Sequence, residues 1–207
     1  MQANRPYETP TGPQLEVLAQ VETRLPAPLK QKAVAAALAA VMALVAVFGL
    51  GGGKLHGKYS AAASEFVSTS ESHGISMSMD LSERLNAAAN IVTIAKAQGG
   101  SFAALSSAEE AIAALEQALE QESPAACYDA NTALGKAIDL LRQELLTAGV
   151  ADTKSLDSQW DEFQSRQFTL DNAIYNDVAQ EYNETAAGFP AGLIAALWGD
   201  TEVERFG

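Results

Sequence analysis

Residues Ala33 to Leu50 read AVAAALAAVMALVAVFGL, eighteen positions without a charge or a hydrogen-bonding side chain. The apolar run continues through Gly51, Gly52 and Gly53, so twenty-one residues separate Lys32 from Lys54. A helix of that length rises about 30 Å at roughly 1.5 Å per residue, which matches the hydrocarbon layer of a bilayer. Eight of these residues are Leu, Val or Phe. At about −0.3 to −0.6 kcal/mol each they favour insertion by roughly 3 kcal/mol before Ala is counted. The sequence therefore predicts one transmembrane helix, with the lipid bilayer as the partner of Ala33 to Leu50. Two readings compete with it. The core helix of a soluble protein usually carries some polar residue over five turns, and this stretch carries none. A cleaved signal peptide would need a charged leader of thirty-two residues that includes Pro26 and Pro28, far longer than such leaders run, although Val47 and Gly49 form an acceptable small-residue cleavage pair.

Charge is divided unevenly around this stretch. Residues 1–53 hold four Lys or Arg and three Asp or Glu, which leaves nine against twenty-three for the remainder, a body of net charge −14 within a chain of −13. Such a surface repels phosphates, so nucleic acid is not an expected partner. Arg24, Lys30 and Lys32 precede the apolar run and Lys54 and Lys58 follow it. Three cations against two place the N-terminus in the cytoplasm and the body outside, in a single-pass cell-membrane protein. Ala35, Ala39 and Ala43 would let a second copy approach closely, so a homo-oligomer stays open.

The rest divides into a Pro-rich flexible tail, residues 1–32, the span with its glycine hinge, residues 33–53, and a helical body, residues 54–207. Leu15, Leu18, Val21 and Leu25 give the tail one short amphipathic piece. From Lys58 to Gln98 there is no Pro and only Gly74, which reads as one long helix weakened at its start by the Ser-rich run Ser68 to Ser72. Gly99-Gly100 stops it, and Ser101 or Ser106 is the expected cap of the next. That second helix is kinked or broken at Pro124, with Ser123 as cap, and ends at Gly149. A third helix is expected over Thr153 to Ala187, with Leu156, Trp160, Phe163, Leu170, Ile174, Val178, Tyr182 and then Phe189 on one stripe. Pro190 opens a short last helix, and Trp198 is its expected lid residue. The expected fold is all-α: an N-terminal transmembrane helix, then an antiparallel bundle of three long helices with a short C-terminal helix.

Tyr175-Asn176-Asp177-Val178 is followed seven residues on by Tyr182-Asn183, then by Phe189-Pro190 and the apolar Leu193 to Gly199. This resembles the C-terminal signature of the LemA family. Asn90 to Lys96, with Arg84 ahead of it, resembles the family's first-helix motif, and Ala133-Leu134-Gly135-Lys136 the one in its second helix. Ala89 stands where the family has proline, and Asn172 and Ala173 where it has basic residues, so the resemblance is to a divergent member. It implies a membrane-anchored bundle of long helices in the bacterial envelope, with no established enzymatic activity and a membrane protease among the associated proteins. Independently of the family, Tyr175 and Tyr182 share one helix face, as do Asn176 and Asn183. The rings are expected to pack on the first two helices while the amides bond backbone near the chain leaving at Gly188.

Catalytic chemistry finds little footing here. His56 and His73 carry no recognisable motif with the single Cys127, and no phosphate-binding glycine loop occurs. Glu109-Glu110 and Asp161-Glu162 read as solvated helix faces. No catalytic, metal or cofactor residue is therefore expected. A non-catalytic scaffold or adaptor for a protein partner is the leading expectation, and a single-pass sensor binding a small molecule between helices is the alternative.

Overall fold

The computed structural model describes residues 32–68 and 75–207. The tail expected to be flexible, with its short amphipathic piece at Leu15 to Leu25, and His73 and Gly74 with most of the Ser-rich run, lie outside the described residues. Contacts divide the chain into two units that meet at Gly51 and Gly52.

The described part of the first unit is helix α1 (Lys32–Val45) and a π-helical segment, Ala46–Leu50. No residue of either is buried. The helical run that they begin reaches Ser64, and it is long and apolar enough to cross a membrane. The three glycines do not stop it, since helix α2 (Gly51–Ser64) starts at Gly51 with φ −64° and ψ −43°. Three glycines weaken a helix by roughly 1 kcal/mol each, which is a tax on stability and not a steric block.

In the second unit α2 is followed by α3 (Met77–Ala97), α4 (Leu105–Glu120), α5 (Pro124–Ala148), α6 (Thr153–Asp171), α7 (Tyr175–Ala187) and α8 (Ala191–Trp198). No strand occurs among the described residues. Helix α3 is central: it packs chiefly on α6 and also on α4 and α5, while α4 and α5 pack on each other. Leu81, Ile91 and Ala95 of α3, Leu115 of α4, Leu134, Ile138 and Leu141 of α5, and Leu156 and Phe163 of α6 are fully buried at their meeting.

Two of the expected long helices are broken. The first ends at Ser64 and restarts at Met77, because Ser76 turns extended and its hydroxyl accepts the Met79 N–H, 3.3 Å, while the Phe66 carbonyl accepts the Ser78 N–H. A serine that caps from outside a helix is a better use of that side chain than one inside it. The third helix splits at Asn172 to Ile174, where the Asn172 amide donates back to the Phe168 carbonyl, 2.7 Å. The buried stripe accordingly loses Ile174 and Phe189, which are exposed, keeps Leu156, Phe163, Leu170 and Tyr182, and leaves Trp160 and Val178 half-buried.

The break at Pro124 is complete and Ser123 caps α5 through the Ala126 N–H, 3.3 Å. Gly149 ends α5 in the left-handed region at φ 74°, which residues with a Cβ adopt rarely. Neither Ser101 nor Ser106 caps α4. Its leading N–H, on Ala104, donates instead to the Glu144 carboxylate of α5, 3.2 Å. Asp152 caps α6 by accepting from the Ser155 N–H, 3.0 Å.

Candidate functional site

The residues that stand out in sequence meet in space along α7, and what they hold is the chain's own C-terminal segment. Asn183 donates to the Val203 carbonyl, 2.9 Å, and accepts the Val203 N–H, 2.7 Å. Asn176 treats Phe206 in the same way, donating at 2.7 Å and accepting at 2.9 Å. The Tyr182 hydroxyl donates to the Asp200 carbonyl and the Tyr175 hydroxyl to that of Glu204. A primary amide offers one donor and one acceptor side by side, which is the pattern one residue of extended backbone presents. The spacing also fits. Seven helical residues rise about 10.5 Å, and three extended residues rise about 10 Å, so a repeat of seven on α7 meets a repeat of three on the strap.

The same segment ties other helices down. Asp200 accepts from or pairs with His56 Nδ1 of α2 at 2.8 Å. The Ser123 hydroxyl donates to the Glu204 carboxylate, 2.9 Å, which sets a negative charge at the N-terminus of α5, where the helix dipole favours it. Phe206 meets Tyr128 edge to face, 5.3 Å between centroids. Val203 and Phe206 are buried.

Behind the amides the rings pack on α2 and its exit. Tyr59 lies 5.5 Å from Tyr182 and Phe66 5.4 Å from Tyr175, both edge to face. Two aromatics seven apart on one strand of chain thus meet two seven apart on another that runs the opposite way. Trp198 lies against α2 as well, close enough that a methyl group at Gly52 would overlap its indole. It remains 46 % exposed, so it covers α2 on one side only and is no closed lid.

The remaining signature positions do other things. Asp177 is exposed in the first turn of α7, and Val178 is half-buried facing Ala61 and Ala62. Phe189 and Pro190 are exposed at the turn into α8. Asn90 donates to Gln159 of α6, 2.9 Å, and Lys96 pairs with Glu109 of α4, 2.6 Å, both on the surface. Gly135 lies against the Arg84 guanidinium. These three positions serve the α3 to α6 packing and not the strap.

Sequence reasoning misses the strap because Asp200 to Phe206 has no apolar period. It also misses a buried polar chain. Arg84 donates from Nε to the Phe163 carbonyl, 3.2 Å, and from Nη1 to the carbonyl and side chain of Asn131, over the face of the Phe163 ring at 3.8 Å. Asn131 donates on to Gln167, 3.0 Å, and Gln167 to Asp171, 2.7 Å. Asp80, also buried, is met by Arg166 at 3.0 Å.

Burial, with the Glu204 carboxylate adding to it, pushes the Cys127 thiol up to about 11, and burial pushes the Tyr175 phenol up to about 12. Such groups stay protonated in the native state after the unfolded chain has begun to lose its protons. Their contribution is complete below the unfolded values and is lost as pH climbs through the folded ones. Stability should therefore fall as pH rises above about 9, the ordinary thiol value, and the first part of that fall should vanish in Cys127→Ala, read from urea midpoints at pH 7 and pH 10. At pH 8 native Cys127 should react with thiol reagents only at the rate of unfolding.

Comparison with protein-family models, with curated proteins and with solved structures finds no match to this chain.

Proposed function

We propose that this chain is a single-pass, LemA-like protein of the bacterial cell membrane whose helical bundle serves as a non-catalytic scaffold or adaptor for a protein partner. The observation that carries the anchoring is the exposure of the apolar helix. Leu38, Val41, Met42, Leu44, Val45, Val47 and Leu50 lie open, and the most apolar window of the helix is uncovered throughout. A row of Leu and Val that protein leaves bare is what lipid would solvate. The small surplus of Lys and Arg ahead of the span favours a cytoplasmic N-terminus.

The adaptor reading is supported by how the signature is used. Its tyrosines and asparagines are engaged in fastening the chain's own strap, which leaves the acidic outer faces of the helices as the surface available to others. The partner would be basic on its facing side, and a membrane protease is one candidate by family association.

A photo-crosslinking residue placed at Glu116 or Asp161 in the full-length protein, activated in intact membranes, tests this. One heterologous adduct that disappears when the neighbouring acids are changed to Lys is the expected result. Adducts to this chain alone, or none, would contradict the adaptor role. One observation favours the sensor: a cleft of about 380 Å³ between the exit of α2 and the α6–α7 break, lined by Ile75, Met77, Asp80, Phe168, Ile174 and Tyr175. Its size lies within the range of small-molecule sites, roughly 300–1,000 Å³.

A further inference from the structure

The twelve residues Gly188 to Gly199 carry no charge, in a body that is otherwise strongly acidic. Helix α8 buries Ile194 and Ala195 and turns the rest outward: Phe189 is 88 % exposed, Leu193 54 %, Leu197 72 % and Trp198 46 %. Leu193 and Leu197, four apart on α8, form one open apolar edge with Trp198 next in sequence, and Phe189 is exposed on the turn that leads into the helix. Single exposed apolar side chains are ordinary; four large ones together on ten residues mark a contact surface.

The position of that edge identifies the contact. Along α2 the partners run backwards through the chain: Trp198 at Gly52, Tyr182 at Tyr59, Tyr175 at Phe66. Helix α8 therefore lies at the end of this unit where α2 begins. Gly52 is two residues beyond Leu50, the last large apolar residue of the stretch read as the span. On the single-span reading, lipid around Ala33 to Leu50 ends close to Gly52 along the chain, and Trp198 lies against Gly52.

We propose that α8 and the Phe189 turn form a second membrane contact, with Phe189, Leu193, Leu197 and Trp198 seated in the interfacial layer of the bilayer from which α2 emerges. The proposal rests on the single-span reading above. Trp with neighbouring Leu and Phe is the composition that interfaces select. Lys54 and Lys58, both exposed on the first turns of α2, supply charge of the right sign for phosphate headgroups.

Full-length protein reconstituted into phosphatidylcholine vesicles with bromine-labelled acyl chains tests this, with Trp160→Phe leaving Trp198 as the sole tryptophan and Trp198→Phe leaving Trp160. Flotation of the vesicles reads the span separately. The expected result is flotation, loss of most Trp198 emission when the bromines lie shallow, and no such loss for Trp160. Leu193→Ser with Leu197→Ser should restore Trp198 emission without abolishing flotation. Flotation with Trp198 unquenched by bromine and open to acrylamide overturns the proposal and leaves the span standing. Trp198 shielded from acrylamide yet unquenched by bromine overturns it too, in favour of a second copy on this edge. Failure to float overturns both.

Discussion

Replacing Asn176 and Asn183 together by Ala should release the C-terminal strap. Four hydrogen bonds to the backbone of Val203 and Phe206 disappear, and at a net worth of about 1 kcal/mol each the bound strap loses roughly 4 kcal/mol. That is about a thousandfold in the population of the open strap. The loss should be local, because the strap has no helix of its own and can open while the helices stay formed. The direct readout is hydrogen exchange at the Val203 and Phe206 amides, which donate to the replaced side chains, with cleavage after Glu202 or Glu204 by a Glu-specific protease as a second. Asn→Asp at both sites keeps the acceptors and removes the donors, so it should fall between wild type and the Ala pair. Unchanged protection of both amides in the Ala pair would mean that the strap is held by Val203 and Phe206 burial alone.

The second large effect is expected at Arg84. Arg84 is 3 % exposed and its guanidinium meets no carboxylate among the described residues, and burial lowers it to about 10, with Asp171 acting in the opposite sense. Against an ordinary value of 12.5, that shift amounts to about 3 kcal/mol spent at neutral pH to keep the group charged. The expense is met by the acceptors on Phe163 and Asn131, which would otherwise be buried without donors. Arg84→Ala removes the donors and opens a cavity at once, and should destabilise by about 4 kcal/mol. Arg84→Met fills much of the space and removes the charge, so it should lose about half as much. Equal losses in the two variants would assign the role of Arg84 to its hydrogen bonds and not to volume. In wild type the unfolded chain keeps this proton between about pH 10 and 12.5 while the folded chain releases it, so this group by itself raises stability with pH in that window.

How far the structure was legible follows from where its determinants lie. The ends at Gly99, Gly149 and Gly199, the break at Pro124 with its Ser123 cap, and the extent of α8 depend on residues within a turn of the feature, and local chemistry states them. The break after Ser64 was visible only as weakness in a serine run, because the competing cap at Ser76 is indistinguishable in sequence from its neighbours. The α6–α7 break is set by Asn172 bonding its own preceding turn, an option a residue-by-residue propensity does not represent. The Tyr-Asn repeat announces a shared face, with its rings expected on helices and its amides on backbone near the chain leaving at Gly188. The partner of the amides is instead an irregular segment some twenty to thirty residues later, ordered by tertiary bonds and by no pattern of its own. The Arg84 to Asp171 chain, buried at Arg84 and Asn131, joins three helices and has no local signal at all.

Everything proposed about anchoring depends on lipid being the solvent of Ala33 to Leu50. Alkaline carbonate extraction of membranes from cells making the chain with an N-terminal epitope tag tests this most directly. The account predicts the full-length, tagged chain in the pellet, released by detergent alone. Full-length chain in the carbonate supernatant, or a tagless product beginning after Gly49, would contradict it.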